Sequence, residues 1–399
     1  MFAYRLLLTL AAPLLLWKAR GQWRERLGLE TTRAARPHLW LHAASNGELA
    51  SARPVIAALQ EARPDLPLFV TCNSETGVAL AREMGFEARL APIDLSGPTR
   101  RVLSRWRVAA HLTMESELWP NRIRLTRGPV IALGARMTEK SARLWRRLPG
   151  TARASLGRIA LLSAQEPASL ARFRALGLPE QAAGPVTDLK ALVSLPDLAP
   201  DRMLEEAFRR GRTWLAASTH DGEERIVLDA FRQARKSEPG LRLILAPRHP
   251  RRGDEIADLV RGAGLMLARR STGDAPGQAA VYLADTMGEM VLWYRLAGRV
   301  FVGGTMADVG GHTPYEPARF ACALIHGPDI GKNAAPFARL HEADAAIRVE
   351  TAEALAQALR RLSDPARQTE MGEAGRAALA GAADLDALMA RLLPLLPET

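Results

Sequence analysis

Short apolar runs alternate along this chain with stretches in which apolar residues recur every three or four positions. In the first half, runs at 39–44, 68–72, 88–91, 109–114, 130–133 and 159–163 predict strands, with helices between them, such as 48–62 and 98–106. The second half repeats the rhythm, with strands at 214–217, 241–246, 265–268, 280–283, 300–302 and 323–325 and helices at 223–236, 251–262 and 289–297. Unbroken apolar runs fit strands covered on both faces, so this βαβα order predicts an α/β protein with two parallel sheets. Pro196 and Pro200 punctuate an extended stretch and place the seam at 192–201. The Ala-rich stretch 351–392 reads as helices packing over the domains.

A length of 399 residues suffices for two cores. Only two cysteines occur, Cys72 and Cys322, which excludes a disulfide framework and a Cys-rich zinc site; reduced core thiols in a cytoplasmic protein are expected. The net charge of +11 favours phosphorylated substrates, anionic lipid or nucleic acid as partners. Nucleic acid fits poorly, because 5% aromatic content leaves no stacking platforms. Charge is concentrated at the N-terminus (Arg5, Lys18, Arg20, Arg24, Arg26, Arg33 and Arg36 against Glu25 and Glu30) and in 136–158 (Arg136, Lys140, Arg143, Arg146, Arg147, Arg153 and Arg158 against Glu139). The run Leu6 to Trp17 carries no charge. As a helix it reaches about 18 Å, short of a hydrocarbon core of ~30 Å, and Pro13 interrupts it. It is expected to dip into the membrane surface with Trp17 and the following arginines at the headgroups; a buried helix and a single-pass anchor are the alternatives.

Three [Ser/Thr]-x-x-Glu boxes follow apolar runs: Ser45-Asn46-Gly47-Glu48, Thr286-Met287-Gly288-Glu289 and Thr313-Pro314-Tyr315-Glu316. Each predicts a capped helix start at a strand's carboxyl end, where α/β proteins bind ligands. The last box follows Phe301-Val302-Gly303-Gly304-Thr305 and Gly310-Gly311-His312. Glycines there admit a ligand close to the backbone, and helix starts offer N–H groups to an anion, so a phosphate or sugar site is predicted. His42, His220, His249 and His312 match no zinc spacing, and Asp384-Leu385-Asp386 lies in a helical stretch; no metal or other cofactor is expected.

Ordered motifs then carry a family resemblance. They are His42-Ala43-Ala44-Ser45-Asn46-Gly47-Glu48, Thr71-Cys72-Asn73-Ser74-Glu75-Thr76-Gly77 and Met114-Glu115-Ser116-Glu117-Leu118-Trp119-Pro120-Asn121. Ala135-Arg136-Met137-Thr138-Glu139-Lys140-Ser141, Ala217-Ser218-Thr219-His220-Asp221-Gly222-Glu223-Glu224 and Pro247-Arg248-His249-Pro250 continue the series, followed by Asp285-Thr286-Met287-Gly288-Glu289 and the Gly-Gly segment. Together they resemble the 3-deoxy-D-manno-octulosonic acid (Kdo) transferases of lipopolysaccharide synthesis. The resemblance implies a GT-B fold, with two Rossmann-like domains facing a deep cleft and an N-terminal membrane-associating helix. It divides the chain into that segment (1–30), an acceptor domain (31–191), the 192–201 linker and a donor domain with the C-terminal helices (202–399). It implies metal-independent, inverting transfer of Kdo from CMP-Kdo to a lipid A precursor at the cytoplasmic face of the inner membrane; a different CMP-activated acidic sugar or acceptor is the alternative.

Residue by residue, the resemblance makes Glu48 the base, Glu117 a stabiliser of the oxocarbenium-like transition state and Lys190 a stabiliser of the departing phosphate or of the transition state. Glu48 equally fits as the capping glutamate of its helix. Pro247, Arg248, Met287, Gly288, Glu289, Thr313, Pro314, Tyr315 and Glu316 fall at the CMP-contacting positions. Ser218, Gly303, Gly304 and Thr305 form a candidate phosphate loop. Asparagine and leucine are usual in the family where Thr313 and Tyr315 stand, and the setting of Lys190 departs from Asn-Leu-Lys-Phe-Asp. The basic 136–158 segment suits the acceptor phosphates and the anionic bilayer.

Overall fold

A computed structural model describes residues 2–18, 21–29, 33–193, 195–381 and 383–398. Met1, Ala19, Arg20 and Glu30 of the N-terminal segment, Ser194 of the linker and Thr399 lie outside the described residues. The chain forms two compact units, Met1–Ser194 with Gly381–Thr399, and Leu195–Ala380.

The first unit is built on β1 (His38–His42), β2 (Leu68–Cys72), β3 (Glu87–Leu90), β4 (Val108–Met114), β5 (Val130–Ala135) and β6 (Ile159–Ala164). All pairs are parallel, in the order β3-β2-β1-β4-β5-β6. Every residue of β1 and β2 is buried, as their unbroken apolar runs predict. Leu39, Leu41, Val70 and Leu112 share one core cluster, and burying each such side chain contributes about 1.5–3 kcal/mol. The strand order reverses between β1 and β4, so the connections leaving their carboxyl ends run to opposite sides and open a crevice there.

The second unit holds β7 (Thr213–Thr219), β8 (Arg242–Pro247), β9 (Leu267–Arg269), β10 (Val281–Leu283), β11 (Arg299–Val302), β12 (Ala323–His326) and β13 (Ala346–Arg348). They are parallel, in the order β13-β12-β11-β7-β8-β10-β9, with the reversal between β7 and β11. The two parallel Rossmann-like sheets give a GT-B glycosyltransferase-like fold. β13 was not predicted. It is a three-residue edge strand ending in exposed Arg348, too short and polar to make an apolar run.

The expected 202–399 domain needs a correction. The C-terminal helix Leu385–Leu392 belongs to the first unit, where Leu388, Met389 and Leu392 join the core of Leu49, Val55 and Leu59. The apolar face of the Asn46–Ala62 helix would otherwise lie open to water. The N-terminal helix Phe2–Lys18 contains Pro13 without breaking. Its Tyr4 hydroxyl donates to Asp94 Oδ2 at 2.7 Å, while Leu10, Leu14 and Trp17 are exposed. Among the described residues no helix is long and apolar enough to cross a membrane.

Candidate active site

In the first unit the carboxyl ends of β1 and β4 gather the candidate chemistry. Ser45 caps the Asn46–Ala62 helix, its Oγ accepting from the Glu48 N–H at 3.3 Å. The Glu48 carboxylate reaches back to accept from the Ala44 N–H at 2.8 Å. Capping role and candidate chemistry therefore coincide in one side chain. Burial pushes this carboxyl up, the Ala44 N–H opposes, and the negative charges of Glu115 and Glu117 add to the rise, leaving it at about 7. Such a group is half ionised near neutral pH, where a general base is most effective.

Glu117 is held in the opposite state. Its Oε2 accepts from Trp119 Nε1 at 2.6 Å, from His42 Nε2 at 3.1 Å and from Asn73 Nδ2 at 3.3 Å. Burial pushes its pKa up, but the bonds from His42 and Trp119 and the charge of Arg122 outweigh that and hold it well below the usual carboxylate range. His42 is itself fully buried, and burial with the nearby Arg122 charge lowers its pKa to about 4, so it is neutral at pH 7. Thr71 Oγ accepts from Trp40 Nε1 at 2.8 Å and lies 3.0 Å from His42 Nδ1. The Thr71 carbonyl also lies 3.0 Å from Nδ1 and competes for the single proton of the neutral ring; the charge on Glu117 makes Nε2 the stronger donor position, with the Thr71 hydroxyl able to donate to Nδ1. Arg122 is buried between the rings of Trp40 and Trp119, its carbon 5.8 and 5.5 Å from their centroids.

Glu115, the residue after β4, has φ +44, a strained conformation for a residue with a side chain. Its Oε1 lies 3.6 Å from Lys190 Nζ. Lys190 follows Asp188, whose Oδ1 accepts from the Lys190 N–H at 3.1 Å. Lys190 thus stands beside the Glu115 carboxylate.

In the second unit the ends of β7, β8 and β11 supply a basic cluster. Ser218 sits at a register shift in β7 with φ +57. Gly303 follows β11 so closely that a Cβ there would lie 2.5 Å from the Ser218 carbonyl. His220 Nε2 and His312 Nε2 are 2.9 Å apart, and the His249 ring stands edge-on to His220 at 5.8 Å. Burial, then the charges of His220, Arg248, Lys332 and His249, lower the His312 pKa to about 4. Pro247 ends β8 and hands the chain to exposed Arg248. Burial raises the Glu316 pKa, with Arg319 and Arg248 opposing.

Three expectations are corrected here. The Tyr315–Arg319 helix starts one residue late, with Pro314 at its N-cap; Thr313 only accepts from the Tyr315 N–H at 3.4 Å. The Met290–Leu296 helix starts beyond its box, because Thr286 and Arg270 (2.6 Å) both engage the Glu289 carboxylate and hold it out of a capping position. The Gly303–Thr305 loop is not an open anion cradle. Glu223 fills it, accepting from the N–H groups of Gly304 (2.7 Å), His220 (2.8 Å) and Met306 (2.9 Å), and the Gly303 N–H goes to Ala217 O. Gly288 has φ +83 and Met287 beside it is exposed.

Of the four histidines, His42 bonds to Glu117 in the first unit, while His220, His249 and His312 gather in the second. Asn73 and Arg122 were missed altogether, although both stand inside or beside the quoted motifs. Among the described residues no group of three His, Cys, Asp or Glu side chains is placed to hold a metal ion.

Comparison with known proteins follows the same lines. Residues 21–193 match the family described as 3-Deoxy-D-manno-octulosonic-acid transferase (kdotransferase). The 3-deoxy-D-manno-octulosonic acid transferase of Bordetella pertussis is 35% identical, covering 94% of each chain. That of Haemophilus influenzae is 31% identical over 94% of this chain and 93% of its own. A UDP-GlcNAc 2-epimerase from Neisseria meningitidis, bound to UDP-GlcNAc, superposes with a TM-score of 0.59 at 14% identity over 90% of this chain and all of the other. That likeness shows the fold alone, which hosts more than one chemistry. Sequence identity along nearly the whole length decides between them: the chain belongs to the 3-deoxy-D-manno-octulosonic acid transferase family and is a glycosyltransferase.

Proposed function

We propose that this glycosyltransferase moves Kdo from CMP-Kdo to a hydroxyl of an acylated, phosphorylated lipid A precursor, with inversion, and that Glu48 is its general base. The observation that carries this reading is the contrast between two carboxyls at one strand-end crevice. Glu48 sits at about 7, ready to take a proton, while three donors keep Glu117 ionised.

In this scheme the acceptor hydroxyl gives its proton to Glu48 as its oxygen bonds to the anomeric carbon. The bond from that carbon to the CMP phosphate oxygen breaks on the far side, and CMP leaves with the electron pair. Positive charge that develops on the sugar is stabilised by the fixed anion of Glu117. Lys190 and Arg248 answer the charge on the leaving phosphate, Arg248 with a planar fork suited to it. Glu316 accepts from the ribose, and Pro247, Met287, Gly288, Thr313, Pro314 and Tyr315 complete the donor contacts. Glu289 acts through Arg270, to which it is bonded. Ser218, Gly303, Gly304 and Thr305 shape the loop around Glu223 rather than binding phosphate. No metal takes part in the scheme. Exposed Leu10, Leu14 and Trp17 support an N-terminal helix lying on the cytoplasmic face of the inner membrane.

The test is transfer by purified protein from CMP-Kdo to a tetraacylated precursor in the presence of EDTA, read by mass spectrometry of the lipid. A gain of one or more Kdo units is expected. CMP release without lipid gain would overturn the acceptor assignment, and activity restored only by added metal would overturn the metal-free scheme.

Two further outcomes follow. The base must be unprotonated, so kcat/KM should fall tenfold per pH unit below an acid limb at about 7; a limb near 4.5 would remove Glu48 from the role. Arg248→Lys keeps the charge but loses the fork, and should raise the KM for CMP-Kdo by roughly tenfold with kcat less affected.

A further inference from the structure

Beside the Glu117 crevice, on the first unit, lies an apolar groove of about 320 Å³. Leu118, Trp119, Leu144, Trp145 and Leu148 form most of its wall, and Tyr4 of the N-terminal helix closes one side. The Trp119 indole that lines it is the one that donates to Glu117, so the groove shares a wall with the candidate active site. Leu144 lies on the helix Glu139–Arg146 and is 60% exposed, among basic side chains. The same Leu144 also lines a second groove, of about 510 Å³, formed by Lys140, Ser141, Arg143 and Arg147. Arg146 is engaged by Glu139 at 2.7 Å, whereas Lys140, Arg143 and Arg147 are in no ion pair among the described residues. One helix therefore presents an apolar trough and a basic trough that meet at one leucine.

A ligand that fills both must be amphipathic, with a hydrocarbon chain attached close to an anionic group. We propose that the apolar groove holds one acyl chain of the lipid acceptor and the basic groove one of its phosphates, which makes Leu144 a specificity-determining residue for acylated acceptors. The inference rests on the acceptor proposed above. The Trp119 wall shared with Glu117 gives it a mechanistic sense: a chain seated against that indole limits how far the sugar hydroxyl can travel from the crevice. Each methylene buried in the groove adds to acceptor affinity.

Two measurements test it. In the first, wild type and Leu144→Asp are assayed with the tetraacylated precursor and with the same phosphorylated disaccharide after complete deacylation. Wild type is expected to prefer the acylated acceptor. Leu144→Ala should raise the KM for it by roughly tenfold, the equivalent of about two lost methylene contacts, and narrow the preference over the deacylated acceptor; Leu144→Asp, which also sets a negative charge beside the phosphate groove, should raise the KM for both acceptors, and more for the acylated one. In the second, a brominated lauroyl chain on a monophosphate headgroup is titrated into the protein and tryptophan fluorescence is read. Quenching that Leu144→Asp abolishes is expected, from Trp119 and Trp145. Absence of quenching in the wild type overturns the groove. Quenching together with a rate indifferent to acylation places a bilayer lipid there instead and overturns the acceptor subsite. If neither acceptor takes Kdo, the acceptor assignment fails, and Leu144-dependent quenching alone upholds or removes the groove as an acyl site.

Discussion

Glu48→Gln is expected to lower kcat by ~10²–10⁴-fold, the range for loss of a positioned general base, with the KM for CMP-Kdo little changed. Glutamine is the informative replacement because its carbonyl oxygen can still accept from the Ala44 N–H, as the Glu48 carboxylate does at 2.8 Å. The helix start survives while the proton acceptor is lost. Stability gives a second, signed readout. The Glu48 carboxyl is raised in the folded protein to about 7 from an ordinary value of 4.5, so between those values the folded state binds the extra proton and stability falls as pH rises. The variant does not titrate there, so its Tm should gain on wild type between pH 5 and about pH 8. A variant that loses Tm but keeps its rate would make Glu48 a capping residue only.

Glu117→Gln is expected to cost about 10²–10³-fold in kcat, the scale of removing one preorganised charge from a transition state. It also predicts a change at a neighbour. The negative charge of Glu117 helps to raise the Glu48 pKa. Without it the acid limb of kcat/KM should move to lower pH even as the rate falls. Stability carries the opposite sign from Glu48. The Glu117 carboxyl is depressed in the folded protein, so it stabilises above its ordinary value of 4.5, and that contribution disappears as pH falls through the folded value. The Tm gap between wild type and variant should therefore narrow below pH 4.5. An unmoved limb with a kcat within twofold of wild type would reduce Glu117 to an anchor for His42 and Trp119.

Both sheets were legible in the sequence because their strands are buried on both faces and announce themselves as unbroken apolar runs. Leu68–Cys72 was placed to the residue, and Trp214–Ala217 lies inside β7. The exposed edge strand Ala346–Arg348 has no such signature. The Ser45 cap was legible because its partner lies three residues away. The Thr286 box misled because Glu289 is claimed by Arg270, from the β9 side of the sheet, and the Thr313 box because Pro314 rather than Thr313 takes the N-cap position. Family resemblance singled out Glu48 and Glu117, but what distinguishes them chemically lay beyond local reading. The donors to Glu117 come from the ends of β1 and β2 and from the turn after β4, and only the parallel order of those strands brings His42, Asn73 and Trp119 to one oxygen. The loop Gly303–Thr305 reads as an anion site in sequence; the anion it binds is the chain's own Glu223, donated from the start of the helix after β7.

The central claim is that one carboxyl at the β1–β4 crevice titrates near neutrality while its neighbour stays ionised. NMR of the protein with ¹³C-labelled glutamate carboxyls, titrated from pH 3 to pH 9 without substrate, tests this directly, with Glu48→Gln and Glu117→Gln assigning the two signals. The account predicts that the signal lost in Glu48→Gln titrates at about 7 and that the one lost in Glu117→Gln stays in its ionised position throughout. A Glu48 signal titrating at about 4.5, the ordinary glutamate value, would contradict it.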